Sequence, residues 1–281
     1  MTTPSVAGTP SGDPHTPAPP VAAHAARRPT PMWARSVSYW MYQYKRTWRG
    51  SITTSFLFPV LYLTAIGLGV GSLIHGSVAG VGRYLDFLAP GLLASTAMQI
   101  GGNDAMYPVM AAIKWLKTYF AMLATPLTVI DVLVGHLAWI ALRLCMVCSI
   151  YLLVMAAFGT VHSPLALLAV PVGVLTGLAF AAPIAAFAAT QVNDTGFSTI
   201  YRFVLIPLFL FSGTFFPVDQ LPGWLQPVAL ATPLYHGVAL CRGLVLGHVT
   251  ASAAAHLAYL AAVAGLGVVV AAGTYRRRLV T

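Results

Sequence analysis

The chain has 281 residues, of which 58% are hydrophobic and only 7% are charged. Soluble domains carry charge on about a quarter of their residues, so an ordinary soluble domain is excluded and an integral membrane protein is indicated. Basic residues of membrane proteins tend to lie on the cytoplasmic side. The positions of the residues behind the net charge of +9 are therefore compared with this tendency before binding to nucleic acid is considered.

The amino-terminal region divides into a tail and an amphipathic segment. Residues 1–31 are rich in proline, alanine and threonine and lack an apolar core, which predicts a disordered cytoplasmic tail. Apolar residues then recur every three or four positions between residues 32 and 50, at Trp33, Val37, Trp40, Met41, Tyr44 and Trp48. This spacing predicts a helix that lies in the membrane interface, with a solvated cytoplasmic helix as the alternative.

Long apolar segments follow, each near the length that crosses a membrane. They predict six transmembrane helices within a permease domain over 51–275, at residues 51–74, 86–110, 131–157, 164–190, 200–218 and 252–273. With the amino terminus inside, 12 of the 15 Lys and Arg residues fall on the cytoplasmic side, including a basic tail at 276–281. Both termini are therefore predicted to be cytoplasmic, and only Arg83 and Arg242 fall outside.

Residues 113–136, between the second and third spans, are amphipathic and contain a proline at position 126. The pattern predicts a short cytoplasmic surface helix followed by a turn. Such a helix could transmit force to a soluble partner, or it could be a simple interfacial connector.

Residues 211–242 suit neither a membrane span nor a solvated loop. Pro217, Pro222, Pro227 and Pro233 interrupt the segment, yet it is too apolar to lie in water. Broken backbone at membrane depth must be buried in protein or line a cavity. A partly re-entrant element on the outer face is predicted.

The sequence contains no motif that carries catalysis. It has no glutamate, no His-Glu-x-x-His, no Gly-x-Ser-x-Gly and no phosphate-binding P-loop. We therefore expect no enzyme activity, bound cofactor or metal in this chain. Arg143 is the clearest charge inside a span, and snorkelling or a hydrogen bond between helices competes with substrate contact as its role.

Two separated motifs carry a resemblance to a known family. AMLATPL at 121–127 is followed by Asp131 and Gly135, and GTFFPV at 213–218 is followed by PLYH at 233–236. Together they resemble the ABC-2 type exporter permeases, with the nodulation-type lipo-oligosaccharide permeases and the daunorubicin-type drug permeases nearest. The chain departs from that pattern at His136 and at Asn103-Asp104, where an acidic residue and a glutamate are expected.

The resemblance implies an all-α integral membrane protein in the cell membrane. Two permease subunits, as a homodimer or a heterodimer, would lie among membrane lipid above two cytoplasmic ABC ATPase subunits, which bind the ATP and Mg. It also implies that residues 33–49 form an interfacial connecting helix, that residues 113–127 form the coupling helix seated in the ATPase, and that residues 211–242 form an extracellular re-entrant hairpin.

The expected function is the export of an amphipathic substrate such as a glycolipid, a lipo-oligosaccharide or a hydrophobic drug. An ion-coupled secondary carrier and a non-transport membrane scaffold are the alternatives, and no interaction with nucleic acid is expected. The residues expected to couple to the ATPase are Lys114, Trp115, Lys117, Tyr119, Phe120, Asp131 and His136. Those expected along the substrate pathway are Met98, Asn103, Arg143, Phe203, Phe209, Phe211, Phe215 and Phe216. Those expected to shape the hairpin are Pro217, Pro222, Trp224 and Pro233.

Overall fold

A computed structural model describes residues 31–70 and 83–280 of the chain. These residues form helices and connecting turns, with no β-strand among them. The α-helices are α1 (Met32–Thr64), α2 (Tyr84–Met110), α3 (Thr118–Leu123), α4 (Val129–Ala157), α5 (Ala169–Thr190), α6 (Thr195–Ile200), α7 (Ile206–Phe211), α8 (Gln226–Leu230), α9 (Pro233–Leu246) and α10 (Ala253–Leu279). Shorter π-helical turns extend α1 (Ala65–Val70) and α2 (Ala111–Trp115) and precede α7 (Tyr201–Leu205), and 3₁₀ turns lie at Pro164–Leu168 and Val218–Gln220. The described part of the chain therefore has an all-α fold.

Helix α5 lies at the centre of the bundle, packed against α2, α4, α9 and α10. Small residues allow this close packing. A Cβ atom added to Gly101 of α2 would lie 2.4 Å from the carbonyl oxygen of Gly177 in α5, and one added to Gly267 of α10 would lie 2.6 Å from the Pro183 side chain. Small residues at such crossings let helix backbones approach closely, which is how helices associate in membranes.

Side-chain contacts define two ends of this bundle. At the first end, Tyr119 of α3 contacts Tyr275 near the end of α10, and Lys114 donates to the Val192 carbonyl after α5. At the other end, Arg83 donates to the Gly159 carbonyl after α4, and the backbone amide of His162 donates to the Val245 carbonyl of α9. Helices α2, α4 and α5 therefore alternate in direction between these two ends.

Three helices are long and apolar enough to cross a membrane: Val129–Ala157, Pro164–Thr190 and Ala253–Leu279. They coincide with the third, fourth and sixth predicted spans. The fifth predicted span corresponds to a shorter apolar helix, Thr195–Phe211, and the second corresponds to α2, whose polar second half lowers its hydropathy. The total of six crossings remains a prediction.

Two predicted boundaries are absent from the structure. The interfacial helix predicted at 32–50 and the first span predicted from residue 51 are joined in the single helix α1, because one glycine at position 50 costs a helix only about 1 kcal/mol and does not end it. The basic residues at 276–278 form the last turn of α10 rather than a separate tail, where they face the negative end of the helix dipole. The tail predicted at 1–31 lies outside the described residues except for Pro31, as do residues 71–74 of the first predicted span.

Candidate functional site

The short helix α3 lies against the first end of the bundle through one buried side chain. Tyr119 has no exposed surface, and its hydroxyl lies 2.6 Å from Nδ1 of His136 in α4. Its ring lies 5.8 Å, centroid to centroid, from Tyr275 of α10. Burial, together with the neighbouring Tyr275 hydroxyl, raises the pKa of Tyr119 well above its usual value, so the phenol stays neutral.

His136 extends this contact to a third helix. Its ring stacks on Trp40 of α1 at 4.3 Å between centroids, and it is itself buried. A displacement of α3 would therefore act on α4 and α10 directly and on α1 through His136. We call Trp40, Tyr119, His136 and Tyr275 the coupling cluster.

The outer surface around α3 is exposed and apolar. Trp115, Leu116 and Phe120 expose 57%, 60% and 41% of their surfaces. In a membrane protein, exposed apolar residues gathered in one place suit contact with lipid or with another protein. Three predicted coupling residues, Trp115, Lys117 and Phe120, lie on this surface, whereas Tyr119 and His136 lie beneath it.

Lys117 and a further predicted coupling residue, Asp131, lie where α3 and α4 begin. Lys117 adopts a left-handed conformation with φ of 53°, at the junction between the π-helical turn that extends α2 and the start of α3. Asp131 forms a capping box with Thr128: the carboxylate accepts from the Thr128 amide at 3.0 Å, and the Thr128 hydroxyl accepts from the Asp131 amide. The capping box satisfies backbone and side-chain donors in the first turn of α4.

The residues predicted for the substrate pathway are separated in the structure. Phe209 and Phe215 make an edge-to-face contact, Phe211 and Phe216 form a second aromatic pair, and Phe203 is 75% exposed. Asn103 is also exposed. Met98 is fully buried inside the bundle. Met98 therefore lines no open surface of this chain, because its position on α2 faces the other helices rather than the lipid side.

Arg143 of α4 is paired with Asp104 of α2, with 2.5 Å between Nη1 and Oδ1. The predicted helix-to-helix hydrogen bond is present, and it pairs the partly buried arginine with a buried carboxylate. The sequence prediction placed Arg143 with the aromatic pathway residues, but it lies towards the α3 end, among Tyr44, Trp139 and His136.

The opposite end is organised by an arginine that the sequence analysis counted only as an external charge. Arg242 of α9 donates from Nε to the Phe87 carbonyl of α2 at 3.1 Å and from Nη2 to the Gly213 carbonyl at 2.8 Å. Its guanidinium also lies 3.7 Å from the Phe87 ring centroid. The Thr214 hydroxyl lies 2.9 Å from that of Ser95 in α2. In the sequence, the signal for this contact was a single arginine within an otherwise apolar helical segment.

The segment 211–242 is broken at its prolines, as predicted. Pro217 precedes the turn Val218–Gln220, Pro222 accepts backbone hydrogen bonds from Leu225 and Gln226, and Pro233 is in the first turn of α9. Trp224 is 74% exposed. Its predicted role in shaping the hairpin stays a prediction.

Residues 36–246 match the family described as ABC-2 type transporter, and this stretch contains α2 to α9. The chain belongs to the ABC-2 type transporter family. It is 34% identical to Nodulation protein J of Rhizobium leguminosarum bv. viciae over 88% of this chain and 93% of that one. It is 32% identical to Nodulation protein J of Rhizobium meliloti strain 1021, over 88% and 92%, and 31% identical to that of Neorhizobium galegae, over the same shares.

This ABC-2 membership confirms the resemblance drawn from the sequence motifs. The chain is a multi-pass membrane component of an export system of the ABC class. In this family the ATP-hydrolysing subunit is normally a separate chain, so this ABC-2 chain is a transport component rather than a catalyst.

Proposed function

We propose that this chain is the permease subunit of an ATP-driven exporter that moves an amphipathic substrate out of the cytoplasm or the inner leaflet. One observation carries the proposal beyond family membership: the buried Tyr119 connects the exposed apolar surface around α3 to three helices of the bundle. A surface element connected in this way suits the transfer of motion from a soluble partner into a membrane domain. Glycolipids, lipo-oligosaccharides and hydrophobic drugs belong to the proposed substrate class.

In the proposed assembly, two permease subunits lie above two ABC ATPases, which bind the ATP and Mg²⁺. Trp115, Leu116 and Phe120 supply the exposed apolar contacts for one ATPase. When the ATPases approach each other, α3 moves, and the hydroxyl contact between Tyr119 and His136 carries the motion into α4. The tight crossings at Gly101 and Gly177 favour movement of the helices as a unit, because such close packing resists continuous deformation.

The exit end of the proposed pathway lies beside the broken segment 211–242. Arg242 and Ser95 hold its first turn against α2, while the neighbouring residues Phe203, Phe209 and Phe215 present aromatic surface. An aromatic surface of this kind suits acyl chains or planar drugs. The segment would act as a lid on the outer face.

Transport itself is tested by purifying the chain with a candidate partner ABC ATPase and reconstituting both in lipid vesicles. We expect the two to co-purify and to export a fluorescent amphipathic substrate only with ATP and Mg²⁺. An ATPase variant in which the Walker lysine is replaced by alanine is the control and should assemble without transporting. Transport driven by an ion gradient without ATP would overturn the proposal in favour of a secondary carrier.

Orientation is tested with a membrane-impermeant thiol reagent on intact cells. Cys145 is exposed and is replaced by serine, while Cys148 and Cys241 are buried. In this background Gln220→Cys, at the broken segment, should be labelled from outside. Ala124→Cys, after α3, is the matched position at the opposite end and should react only after permeabilisation. The reverse pattern would overturn the proposed cytoplasmic placement of α3.

A further inference from the structure

Two histidines meet where α9 packs on α10. His236 in the first turn of α9 and His256 in the first turn of α10 face each other, with 2.6 Å between their Nδ1 atoms and 4.9 Å between their ring centroids. Both side chains are half-buried. Helix α10 begins shortly after the hydrogen bond between Val245 and His162, so the contact lies towards that end of the bundle. We call His236 and His256 the histidine pair.

The short distance between the Nδ1 atoms limits the number of protons that the histidine pair can hold. A neutral imidazole has one N–H donor and one acceptor nitrogen, so one Nδ1 atom must donate to the other. The contact survives one added proton, because an imidazolium ring can still donate to a neutral partner. A second added proton places N–H groups on both facing atoms and like charges on both rings, so the contact breaks.

No neighbouring group compensates a second positive charge. Among the described residues, no carboxylate forms an ion pair with either ring. The ring neighbours are two phenols: Tyr259 stacks on His236 at 4.0 Å between centroids, and Tyr235 contacts both imidazoles edge-on. The nearby cation of α9, Arg242, is directed instead at the Phe87 carbonyl of α2. Double protonation therefore leaves two uncompensated charges in direct contact.

Water can approach the histidine pair, and acid is needed to protonate both rings. A cavity of 60 Å³ beside His256 is also lined by His248 and Thr250 and is large enough for water. Burial, and after it the neighbouring His256, lowers the pKa of His236 from its ordinary value, although a hydrogen bond with the Leu230 backbone acts in the opposite direction. The doubly protonated state therefore forms only below the ordinary histidine pKa of about 6.5.

The helix that carries His256 also holds the junction between α8 and α9. The Tyr259 hydroxyl of α10 donates to the Ala231 carbonyl, directly after α8. The next residue, Thr232, has its hydroxyl 3.1 Å from that of Ser212. Both ends of the stretch 212–232 therefore meet beside the histidine pair, and loss of the contact between α9 and α10 would loosen this stretch.

We propose that the histidine pair is a proton-sensitive latch. It holds residues 212–232 against α10 while at most one ring is protonated, and it releases them when both rings are protonated. The inference rests on the proposed function, in which the broken segment 211–242 is a lid on the outer face. The contact of Arg242 with Gly213 involves no histidine, so the first turn of the segment stays on α2 while α8 moves. External acidity would therefore regulate the exit end of the permease.

The test is electron paramagnetic resonance of a nitroxide spin label on α8, in the full-length chain in nanodiscs. The label is attached to Val228→Cys, a position that is 57% exposed, in the Cys145→Ser background. The sample is then taken from about pH 7.5 to about pH 5, across the ordinary histidine pKa. We expect the mobile fraction of the label to rise severalfold. The same label at Leu266→Cys, 67% exposed on α10, is the control position and should not respond.

Asparagine variants remove the second proton while they keep a hydrogen bond. The asparagine amide places its polar atoms near the position of Nδ1, so His256→Asn and His236→Asn can each still bond the remaining histidine. We expect both variants to lose the acid-induced rise. His248→Asn, in the cavity beside the pair, is the matched control and should keep it. His162→Asn is a second control, because protonation of His162 strengthens its 3.2 Å contact with Asp86 and opposes release.

No rise in the wild-type chain, an equal rise at position 266, or an equal rise in His256→Asn and His236→Asn would each overturn the latch. Loss of the rise in these variants supports it, whether their label is immobile at both pH values or already mobile at the higher one, because in either case the pair controls the segment. The label responds without transport. A response in a chain whose ATPase complex fails to export would reject the export function alone, whereas ATP-driven export without a response would reject the latch alone.

Discussion

The hydroxyl of Tyr119 lies 2.6 Å from Nδ1 of His136, and this contact joins the short helix α3 to the long helix α4. Both side chains are buried, with exposed fractions of 0% and 2%. The exposed residues near Tyr119 can contact a partner protein, whereas the Tyr119 side chain contacts only other helices of the bundle. In the proposed assembly, recognition of the ATPase and transmission of its motion would therefore fall to different residues of one short segment.

Tyr119→Phe is expected to uncouple ATP hydrolysis from transport. The variant removes the hydroxyl contact to His136 but keeps the ring against Tyr275, so the fold should survive. Loss of one hydrogen bond is worth about 0.5 to 1.5 kcal/mol, and we expect the ratio of substrate exported to ATP hydrolysed to fall by up to about tenfold. Parallel measurements of phosphate release and vesicle uptake check this. Tyr42→Phe, at a 70% exposed position of α1, is the matched control; equal ratios in both variants would contradict the role of Tyr119.

Lys117→Gly is expected to raise the melting temperature slightly. Lys117 holds a φ of 53°, a left-handed conformation that costs a residue with a Cβ about 1 to 2 kcal/mol. Glycine avoids this cost but loses more backbone entropy on folding, so the net gain should be about 1 kcal/mol or less. Lys117→Ala removes the same charge but keeps the Cβ, and it should give no such gain. A thermal shift assay that ranks alanine above glycine would contradict the proposed conformational constraint.

Arg242→Met is expected to destabilise the outer end of the bundle. The substitution keeps an apolar chain over Phe87 but leaves the Phe87 and Gly213 carbonyls without their donor. Buried groups that lose a charged partner cost about 1.5 to 3 kcal/mol each, so a drop of several degrees in melting temperature should follow. Protease cleavage within residues 212–222 should also become faster. Arg278→Met removes an exposed charge and should change neither measurement by a comparable amount.

Gly101→Ala is expected to disrupt the crossing of α2 and α5. The new methyl carbon would lie 2.4 Å from the Gly177 carbonyl oxygen, a backbone atom that cannot move aside alone. Overpacking of this kind costs about 1 to 3 kcal/mol. Gly265→Ala in α10 meets no atom within 4 Å, so it should be neutral or stabilising by up to about 1 kcal/mol. Similar melting temperatures for the two variants would contradict the close helix crossing.

The sequence by itself determined the class of protein and the positions of its long helices. The predicted spans at 131–157 and 164–190 agree closely with Val129–Ala157 and Pro164–Thr190, because apolar runs of this length are a local property. The prolines likewise predicted the interruptions in residues 211–242, since each removes a backbone donor wherever it occurs. Gly50, however, did not end α1, because a single weak helix former is overridden by good ones around it.

Only the tertiary structure decided which polar residues meet. Asp104 pairs with Arg143 across 39 positions, Tyr119 with His136 across 17, and Arg242 with the Phe87 carbonyl across 155. Hydropathy shows that a polar residue inside an apolar helix requires a partner, but it does not specify the rotation of that helix about its axis. That rotation is set by the packing of small residues such as Gly101 against Gly177, which couples distant parts of the chain and so is absent from any local pattern.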